Sequence, residues 1–448
     1  MSKQTFNGDY LLQQLCHPAV PVACQVAYSG GLDSHVLLHA LCGLRDRLDS
    51  SLSAVHIHHG LQAEADQWAQ HCRQVCAALG VELTVLSVDA APSPGESPEA
   101  AARRARYDAL RTGLPAGHCL LTAHHQDDQA ETLLLQLLRG AGVSGLAAMP
   151  AAACFGQGQH LRPLLRVTRA ALQDYAAQAS LHWIEDPSNA ALDYDRNYLR
   201  HQVMPRLHAR WPAAAASLSR SAGHCATADA VIAEVAAADC VQLAGSQPDT
   251  LSVTGLCGLS PGRQAQALRY WLQQHGRQLP STAVLTRLVA DLLYCRTDAS
   301  PCVCWGDHEV RRYRDDLYCL WQCAVPDAAA VLDWSLATAL PLPQAGGLLT
   351  ATPGRGRGLR AAAVGATGVR VAWRRGGERC QPAGRRFHHS LKKLFQAAGI
   401  PPWQRNRIPL IYLGDELAMV PGLWVCEPFQ AGPQERSVVI DWQAPGKG

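Results

Sequence analysis

The chain has 448 residues, of which 48% are hydrophobic and 17% charged, a composition typical of a soluble enzyme with about three domains. The net charge of +3 conceals an asymmetry, because residues 351–448 carry 15 basic and 6 acidic side chains while the remainder is net acidic. The apolar runs are shorter than the ~20 residues of a membrane-spanning helix, no signal-peptide segment opens the chain, and the 17 cysteines include no C-x-x-C pair, which argues against a disulfide framework or zinc ribbon. We therefore expect a cytoplasmic protein that does not enter a membrane.

Strands and helices alternate over the first half of the chain. Four short apolar runs predict strands at 22–28, 52–59, 81–89 and 118–125, and segments of helical spacing predict helices at 35–46, 64–80, 97–114 and 128–140. Apolar strands separated by such helices indicate a parallel sheet with crossover helices. Ligands bind beyond the carboxyl ends of the strands of such sheets, so the site is expected where these strands end.

The pattern changes after about residue 215. Residues 213–245 and 262–293 are rich in Ala and Leu at helical spacing, and short β-like runs follow from about residue 330 among Pro and Gly. We therefore predict an α/β domain with a parallel sheet over 1–215, a small helical domain over 216–328 and an α+β domain over 329–448.

The first predicted strand is followed by the loop Ser-Gly-Gly-Leu-Asp-Ser at residues 29–34. The glycines leave the backbone N–H groups open, and the positive end of the next helix points into the loop, so the segment can cradle a phosphate. Asp33 would repel that phosphate unless Mg²⁺ lies between them. A simple strand-to-helix turn is the alternative. The chain here lacks the G-K-[ST] of a P-loop and the G-x-G-x-x-G of a dinucleotide site.

The fourth predicted strand is followed by three acids, Asp127, Asp128 and Glu131. Their spacing brings them together at the start of a helix, where they repel one another unless a cation lies among them. Capping of the helix would explain one acid, whereas three favour Mg²⁺. Arg103, on the preceding helix with Arg104 and Arg106, would offset phosphate charge; a solvated helix face is the alternative.

Histidines and cysteines also cluster. The histidines at two neighbouring strand ends are His56, His58, His59, His124 and His125. Zinc binding is one interpretation, but we expect these side chains to line the pocket. The closest cysteines are Cys72 with Cys76, Cys302 with Cys304, and Cys319 with Cys323, and we expect most cysteines to be small buried hydrophobes.

The C-terminal region carries a strongly basic segment. Residues 355–407 hold 13 Lys or Arg side chains and one acid, Glu378, with Trp373, Phe387 and Trp403 interleaved. Cations for phosphates and aromatic rings for stacking are typical of a nucleic-acid surface. The alternatives are a solvated face for the charges and a domain core for the aromatic rings.

Together these motifs resemble a known family. The loop SGGLDS matches the signature of PP-loop ATP pyrophosphatases. The ordered blocks SGGLDS, HHGL, EAAARRARY, AHHQDDQAETLLLQLLRG, RPLL, EDPSN and RNYLRHQVMP, found between residues 29 and 205, resemble those of tRNA(Ile)-lysidine synthetases. The segment 391–424, which begins LKKLFQAAGIPPW, resembles the C-terminal domain of the same family. The region 216–330 adds little beyond its helical character.

The resemblance implies a reaction and its residues. ATP would adenylate C2 of the wobble cytidine in the CAU anticodon of an isoleucine tRNA, and free lysine would displace AMP to give lysidine. The resemblance implies ATP binding by Ala27, Ser29, Gly30, Gly31, Leu32, Asp33, Ser34 and His58. It implies catalytic roles for Asp33, Asp128, Glu131, Arg103 and Arg196, with Mg²⁺ on Asp33 and Asp128. We assign tRNA contacts to Arg374, Arg375, Arg385, Arg386, Lys392, Lys393, Arg405 and Arg407, and expect the helical domain to contact tRNA too.

Three other functions remain open at this stage. A PP-loop tRNA thiolation enzyme is the nearest, although such enzymes typically use cysteines for sulfur handling and no C-x-x-C is present. A small-molecule amidating ligase would leave the basic segment unexplained. A non-catalytic tRNA-binding protein is disfavoured by the intact loop and the three acids.

Overall fold

The computed structural model describes residues 6–15, 21, 23–60, 65–92, 97–277, 279–296, 301–322, 324–342 and 345–443. Leu61 of the HHGL block and Cys323 lie outside these ranges. The described residues form two compact units, Met1–Val235 and Ala236–Gly448. None of their helices combines the length and the apolar character that crossing a membrane requires.

A six-stranded sheet forms the centre of the first unit. Its strands are β1 (Ala23–Ala27), β2 (Ser51–His58), β3 (Glu82–Ser87), β4 (Cys119–Leu121), β5 (Ala152–Phe155) and β6 (Gly158–Leu161). They lie in the order β3-β2-β1-β4-β6-β5, and every neighbouring pair is parallel except β5 with β6. The predicted parallel sheet is therefore confirmed, with one antiparallel edge strand.

Helices cover this sheet and extend beyond it. They are α1 (Gly8–Leu15), α2 (Leu32–Cys42), α3 (Ala65–Ala78), α4 (Pro98–Gly113), α5 (Gln126–Leu138), α6 (Val143–Leu146), α7 (Arg169–Gln178), α8 (Asp195–Tyr198), α9 (Met204–Arg210) and α10 (Ala214–Gln242). A π-helical turn, Leu199–Val203, joins α8 to α9. The Ser97 side chain accepts a hydrogen bond from the Ala100 N–H, and Pro98 occupies the first turn, so α4 begins where Ser and Pro predict it.

The core of the first unit explains why its strands read as continuous apolar runs. Val26 of β1 and Leu121 of β4 are fully buried, as are Val36 and Leu37 of α2. Strands covered on both faces need apolar side chains at every position rather than at alternate ones. This packing fixes the carboxyl ends of β1 and β4, from which the candidate site is built.

The second unit begins with a mixed region of helices and strands. The helices are α11 (Val253–Cys257), α12 (Pro261–Gln274) and α13 (Thr282–Leu288), and the strands are β7 (Leu251–Ser252), β8 (Cys302–Trp305), β9 (His308–Tyr313) and β10 (Asp316–Trp321). The strands form an antiparallel sheet ordered β7-β10-β9-β8 that shares one core with the helices. Helical spacing alone predicted only the helices of this region.

The remainder of the second unit is rich in strands. They are β11 (Val331–Trp334), β12 (Leu340–Pro341), β13 (Leu348–Arg355), β14 (Leu359–Arg360), β15 (Val369–Ala372), β16 (Arg379–Cys380), β17 (His389–Ser390), β18 (Leu410–Leu413), β19 (Glu416–Val420), β20 (Trp424–Val425) and β21 (Arg436–Gln443). Three short helices accompany them: α14 (Ala361–Thr367), α15 (Leu391–Ala397) and α16 (Pro402–Arg405). Two sheets, β11-β15-β18-β19-β20 and β12-β13-β21-β14, contribute to the apolar core, as expected for an α+β region.

Candidate active site

The candidate site lies where the strand order of the first sheet reverses. The chain runs from β1 to β2 and β3 on one side, and β4 pairs with the other side of β1. Parallel sheets bind ligands in the crevice beyond such a reversal. The loop after β1 therefore faces the turn after β4, and the Asp33 Oδ2 atom lies 3.6 Å from the His125 Nε2 atom.

The loop after β1 has the backbone of an anion cradle. Gly30 has φ +86°, and a Cβ there would lie 2.9 Å from Ile184 Cδ1 and 3.0 Å from Cys72 Sγ, so glycine is required for both conformation and space. The Ser34 hydroxyl donates to the Gly31 carbonyl at 3.0 Å and accepts from the Ser29 N–H at 3.2 Å. Gly31 precedes α2 without a side-chain cap, so the first-turn amides of α2 are left for a bound anion.

His125 joins this loop to the acids of α5. Its side chain is 2% exposed, and its Nε2 atom lies 3.4 Å from Asp128 Oδ2 as well as near Asp33. Its Nδ1 atom lies 3.7 Å from Asp127 Oδ2. Burial favours the neutral ring, but the carboxylates of Asp128 and Asp33 outweigh it and raise the pKa of His125. The Asp128 backbone N–H also donates to His125 Nδ1 at 3.4 Å, so the ring links the three carboxylates to the first turn of α5.

Two arginines neutralise the acids on the other side. Arg196 Nη2 donates to Asp128 Oδ1 at 2.8 Å, and its Nε donates to Glu131 Oε2 at 3.0 Å. Arg200 Nη2 donates to Asp128 Oδ1 at 3.0 Å, and its Nε donates to Glu131 Oε1 at 2.7 Å. We call these four residues the acid–arginine cluster. Acids spaced by three residues on α5 face arginines spaced by four on the segment from α8 to α9, so one helix face meets another.

The electrostatics of the cluster favour the charged forms of Asp128 and both arginines. Burial disfavours the ionised Asp128 carboxylate, but His125 and Arg196 lower the pKa of Asp128 below its ordinary value. Burial likewise disfavours the Arg196 guanidinium, while Asp128 and Glu131 raise the pKa of Arg196. The two acids and two arginines balance one another, so the cluster can remain buried without an added ion.

The carboxylates differ in how well they fit Mg²⁺. Asp33 Oδ1 is buried and has no hydrogen-bond partner among the described residues, as expected of an oxygen that awaits a ligand. Asp128 Oδ1 accepts from both arginines, and Asp128 Oδ2 accepts from the backbone N–H of His125 at 2.9 Å. Asp33 thus fits a metal ligand, and Asp128 would need to give up an arginine contact to become one.

Asp127 and Asp128, which the sequence left unresolved, have different surroundings. Asp128 is buried in the acid–arginine cluster, whereas the Asp127 side chain is partly exposed and accepts from the Arg169 N–H at 3.0 Å. Glu131 pairs with the same two arginines as Asp128. The geometry therefore groups Asp128 with Glu131, as the spacing of three residues predicted.

Other residues of the predicted site make contacts outside the acid–arginine cluster. The Arg103 guanidinium lies 4.9 Å from the centre of the Tyr107 ring and is close enough to lower the pKa of His124. His58, at the end of β2, contacts the exposed Asp66 at 3.1 Å. The Nδ1 atom of His56 donates to the Tyr28 carbonyl at 2.9 Å.

Among the described residues, one group has three potential metal-ligating side chains close together, and it lies outside this site. Its members are Cys302, Cys304 and Glu309, whose ligand atoms lie within 4.8 Å of one another. Both oxygens of Glu309 accept from Arg311, and burial raises the pKa of the Cys302 thiol to about 12. The hydrogen bonds from Arg311 and the raised thiol pKa both disfavour a bound cation.

The eight basic residues predicted to contact tRNA separate into two groups. Arg385, Arg386, Lys392 and Lys393 are exposed, and we call these four the C-terminal basic surface. Phe387, beside them, is 72% exposed. An exposed aromatic ring next to cations is what base or ribose stacking needs.

The other four predicted tRNA contacts bond within the fold, and of these Arg375 is exposed. Arg405 is 7% exposed and donates to the Ile400 carbonyl and the Tyr313 hydroxyl, so the structure does not place it on the surface. Arg407 donates to the Ala345 carbonyl, Arg375 donates to the Ala328 carbonyl, and Arg374 lies 3.6 Å from Glu378. Trp373 belongs to the core, and Trp403 packs on Tyr313 and Tyr318.

One residue of the site was missed in the sequence. Arg200 contacts both acids of α5, yet only Arg196 was assigned a role. The signal was the spacing of four residues between the two arginines in RNYLR, which places them on one helix face. The two arginines can be assigned to the site only when Asp128 and Glu131 are known to face them.

Comparison with known proteins places the chain in a family. Residues 6–207 match the PP-loop domain, residues 251–318 the TilS substrate binding domain, and residues 369–442 the TilS substrate C-terminal domain. The chain is 44% identical to the tRNA(Ile)-lysidine synthase of Coxiella burnetii, over 94% of this chain and 93% of that protein. It is 45% identical to the tRNA(Ile)-lysidine synthase of Methylococcus capsulatus, over 93% and 95% respectively.

A solved structure also matches the C-terminal region. The crystal structure of the TILS C-terminal domain is 28% identical, with a TM-score of 0.23, and covers 26% of this chain and 96% of that one. The identities above extend over nearly the full length of both chains. The protein therefore belongs to the tRNA(Ile)-lysidine synthase family.

Proposed function

We propose that this protein joins lysine to C2 of the wobble cytidine in the CAU anticodon of tRNA(Ile), with ATP as the activating substrate. ATP adenylates the C2 oxygen and pyrophosphate leaves; the lysine amine then attacks C2, and AMP leaves as lysidine forms. The modified anticodon changes its pairing from G to A and its amino acid from methionine to isoleucine. The observation that carries this proposal is the pocket in which the glycine loop and the α5 acids meet through His125.

The loop supplies the binding site for the ATP phosphates in this proposal. Ser29 to Ser34 present hydroxyls and first-turn amides of α2 on one side of the pocket, with Ala27 at the end of β1 and His58 at the end of β2. Backbone N–H groups at a helix start stabilise a phosphate without adding a mobile cation. Mg²⁺, when bound, would neutralise charge on the departing pyrophosphate. Asp33 would hold it, with Asp128 as the second candidate.

The acid–arginine cluster supplies charges for both half-reactions. Arg196, with Arg103 at the pocket edge, would stabilise the negative charge that develops as the phosphate transfers. Asp128 and Glu131 orient Arg196 through contacts of 2.8 and 3.0 Å, so that its position is fixed before substrate arrives. Carboxylates of this pocket would also receive the lysine ammonium.

The second unit would bind a part of the tRNA that is distant from the reacting base. The C-terminal basic surface offers four exposed cations, and Phe387 offers a stacking face. The reacting cytidine must leave its stack to enter the pocket. We propose that this surface contributes affinity for the tRNA body, while the first unit receives the anticodon. Exposed Arg375 would also contact the tRNA, whereas Arg374, Arg405 and Arg407 would support this surface from within the fold.

Mass spectrometry of tRNA nucleosides tests the proposed function. We expect lysidine at the wobble position after incubation of a tRNA(Ile) transcript with ATP, Mg²⁺ and lysine, and pyrophosphate release that depends on the tRNA. A tRNA(Met) transcript, which shares the CAU anticodon, is the matched control. An unmodified wobble cytidine from folded protein that binds ATP would overturn the proposal. Sulfur incorporation instead of lysine would favour a thiolation enzyme.

A further inference from the structure

A chain of hydrogen bonds runs from β6 to the end of β4 beside the active-site pocket. Arg162 Nη2 lies 3.0 Å from His160 Nδ1, and His160 Nε2 lies 2.8 Å from the Thr122 hydroxyl oxygen. The same hydroxyl oxygen lies 2.7 Å from His124 Nδ1. His160 is buried, and Arg162 is anchored by donating to the Pro150 carbonyl at 2.8 Å. Of these four residues, His124 lies nearest in sequence to the acids of α5.

The Arg162 guanidinium, a donor at one end of this series of hydrogen bonds, determines which atoms carry the protons. Arginine can only donate, so His160 Nδ1 accepts, and the proton of the neutral ring lies on Nε2. His160 Nε2–H therefore donates to the Thr122 oxygen. The Thr122 hydroxyl has one proton, and among the described side chains its remaining partner is His124 Nδ1. His124 Nδ1 thus accepts, which leaves the His124 proton on Nε2.

The surroundings of His124 also favour the neutral ring. Burial, together with Arg162, Arg196 and Arg103, lowers the pKa of His124 to about 3 against the opposing effect of Asp128. Burial, Arg162 and Arg103 lower the pKa of His160 to about 3 as well. His125, the adjacent residue, instead contacts three carboxylates. The surroundings of the two neighbouring histidines thus shift their pKa values in opposite directions.

We propose that Arg162, His160 and Thr122 are positioning residues that fix His124 as a neutral imidazole, whose Nε2–H donates to an oxygen of the bound substrates. This inference rests on the proposed function, because the oxygen belongs either to an ATP phosphate or to the C2 carbonyl of the cytidine. A neutral donor stabilises such an oxygen without adding a positive charge to a pocket that must admit the lysine ammonium. His124 would be the residue that contacts substrate.

The first test reads the tautomer directly in the full-length protein. Nitrogen-15 NMR of histidine-labelled protein at pH 7, with the His124 signal identified from its loss in His124→Gln, should show Nδ1 without a proton and Nε2 with one. Thr122→Ser retains the hydroxyl and should preserve this pattern. Thr122→Val should convert His124 to a mixture of tautomers. A protonated Nδ1 in the wild-type protein, or an unchanged pattern in Thr122→Val, would overturn the inference.

The second test identifies the oxygen and separates this inference from the proposed function. Pyrophosphate release with tRNA should fall about tenfold in Thr122→Val and be retained in Thr122→Ser, as for loss of one oriented hydrogen bond. Calorimetry with ATP and Mg²⁺ in His124→Ala assigns the oxygen to a phosphate if ATP affinity falls, and to the cytidine if only the tRNA-dependent step slows. His124→Ala with unchanged affinity and unchanged rate would contradict the inference. If the wild-type protein made no lysidine, the proposed function would be wrong, but the tautomer of His124 measured by NMR would be unaffected.

Discussion

The charged side chains of the acid–arginine cluster and those of the C-terminal basic surface are held in opposite ways. Asp128 and Glu131 are buried and bonded to Arg196 and Arg200 at 2.7–3.0 Å. The cations of the basic surface are exposed, and no carboxylate partner is recorded for them among the described residues. Buried pairs fix geometry, whereas exposed unpaired cations contribute long-range attraction that salt screens. The first arrangement suits catalysis and the second suits binding of a polyanion.

The largest expected effect follows from breaking the buried cluster. Glu131→Gln removes the charge that holds both arginines, so we expect lysidine formation to fall at least about a hundredfold. Loss of one partner from a buried ion pair typically costs about 3–5 kcal/mol of unfolding free energy. Urea unfolding and single-turnover kinetics measure the two effects.

The matched control for that variant is an exposed ion pair in the same unit. Asp108 and Arg111 lie 2.9 Å apart on α4, with both side chains more than half exposed. Asp108→Asn should cost less than about 1 kcal/mol and leave the rate unchanged. Equal losses in the two variants would remove the distinction between buried and exposed charges.

Removal of two exposed cations should have a smaller effect of a different kind. Arg385→Ala with Arg386→Ala should weaken tRNA binding about tenfold at 150 mM salt and flatten the plot of log affinity against log salt by about 1.4 to 1.8. ATP affinity should stay the same. Arg47→Ala, at an exposed pair with Asp9 in the first unit, is the control. An unchanged salt slope would show that these arginines do not meet phosphates.

A smaller effect concerns acid stability. Burial lowers the pKa of His160 to about 3, whereas the unfolded chain titrates near its ordinary value of 6.5. Between these two pH values the unfolded state binds a proton at His160 and the folded state does not. The free energy of unfolding therefore falls as pH drops from about 6.5 towards 3, by about 1.4 kcal/mol per pH unit. In His160→Asn, unfolding measured between pH 5 and 6 should take up about one proton fewer, so the free energy of unfolding should depend less steeply on pH. A slope equal to that of the wild type would contradict the prediction.

The sequence located the elements around the candidate site better than it separated exposed from buried basic residues. Apolar runs and glycine spacing located β1, β4 and the loop at residues 29–34, because those features are set by local packing and backbone freedom. Arg200 was missed because its role depends on α5, which lies 60 or more residues earlier in the chain. Composition also failed to separate Arg385 from Arg405, since burial is decided by tertiary contacts such as that with the Tyr313 hydroxyl.

The region from β7 to β10 was also predicted only in part from the sequence. Ala and Leu at helical spacing predicted α12 and α13 but gave no sign of the sheet formed by β7 to β10. The strand β9, His308–Tyr313, contains Glu309, Arg311 and Arg312, so no apolar run marks it in the sequence. Short strands become ordered through pairing with neighbours, which a local pattern does not encode.

The most direct measurement of the central claim is a double-mutant cycle for ATP affinity in the presence of Mg²⁺. Asp33→Asn alters the glycine loop, Asp128→Asn alters the α5 acids, and calorimetry of the single and double variants gives the coupling between them. Because His125 lies within 3.6 Å of Asp33 and 3.4 Å of Asp128, we predict a coupling energy of at least about 1 kcal/mol. Effects that add to within about 0.3 kcal/mol would contradict a single nucleotide pocket shared by the two segments.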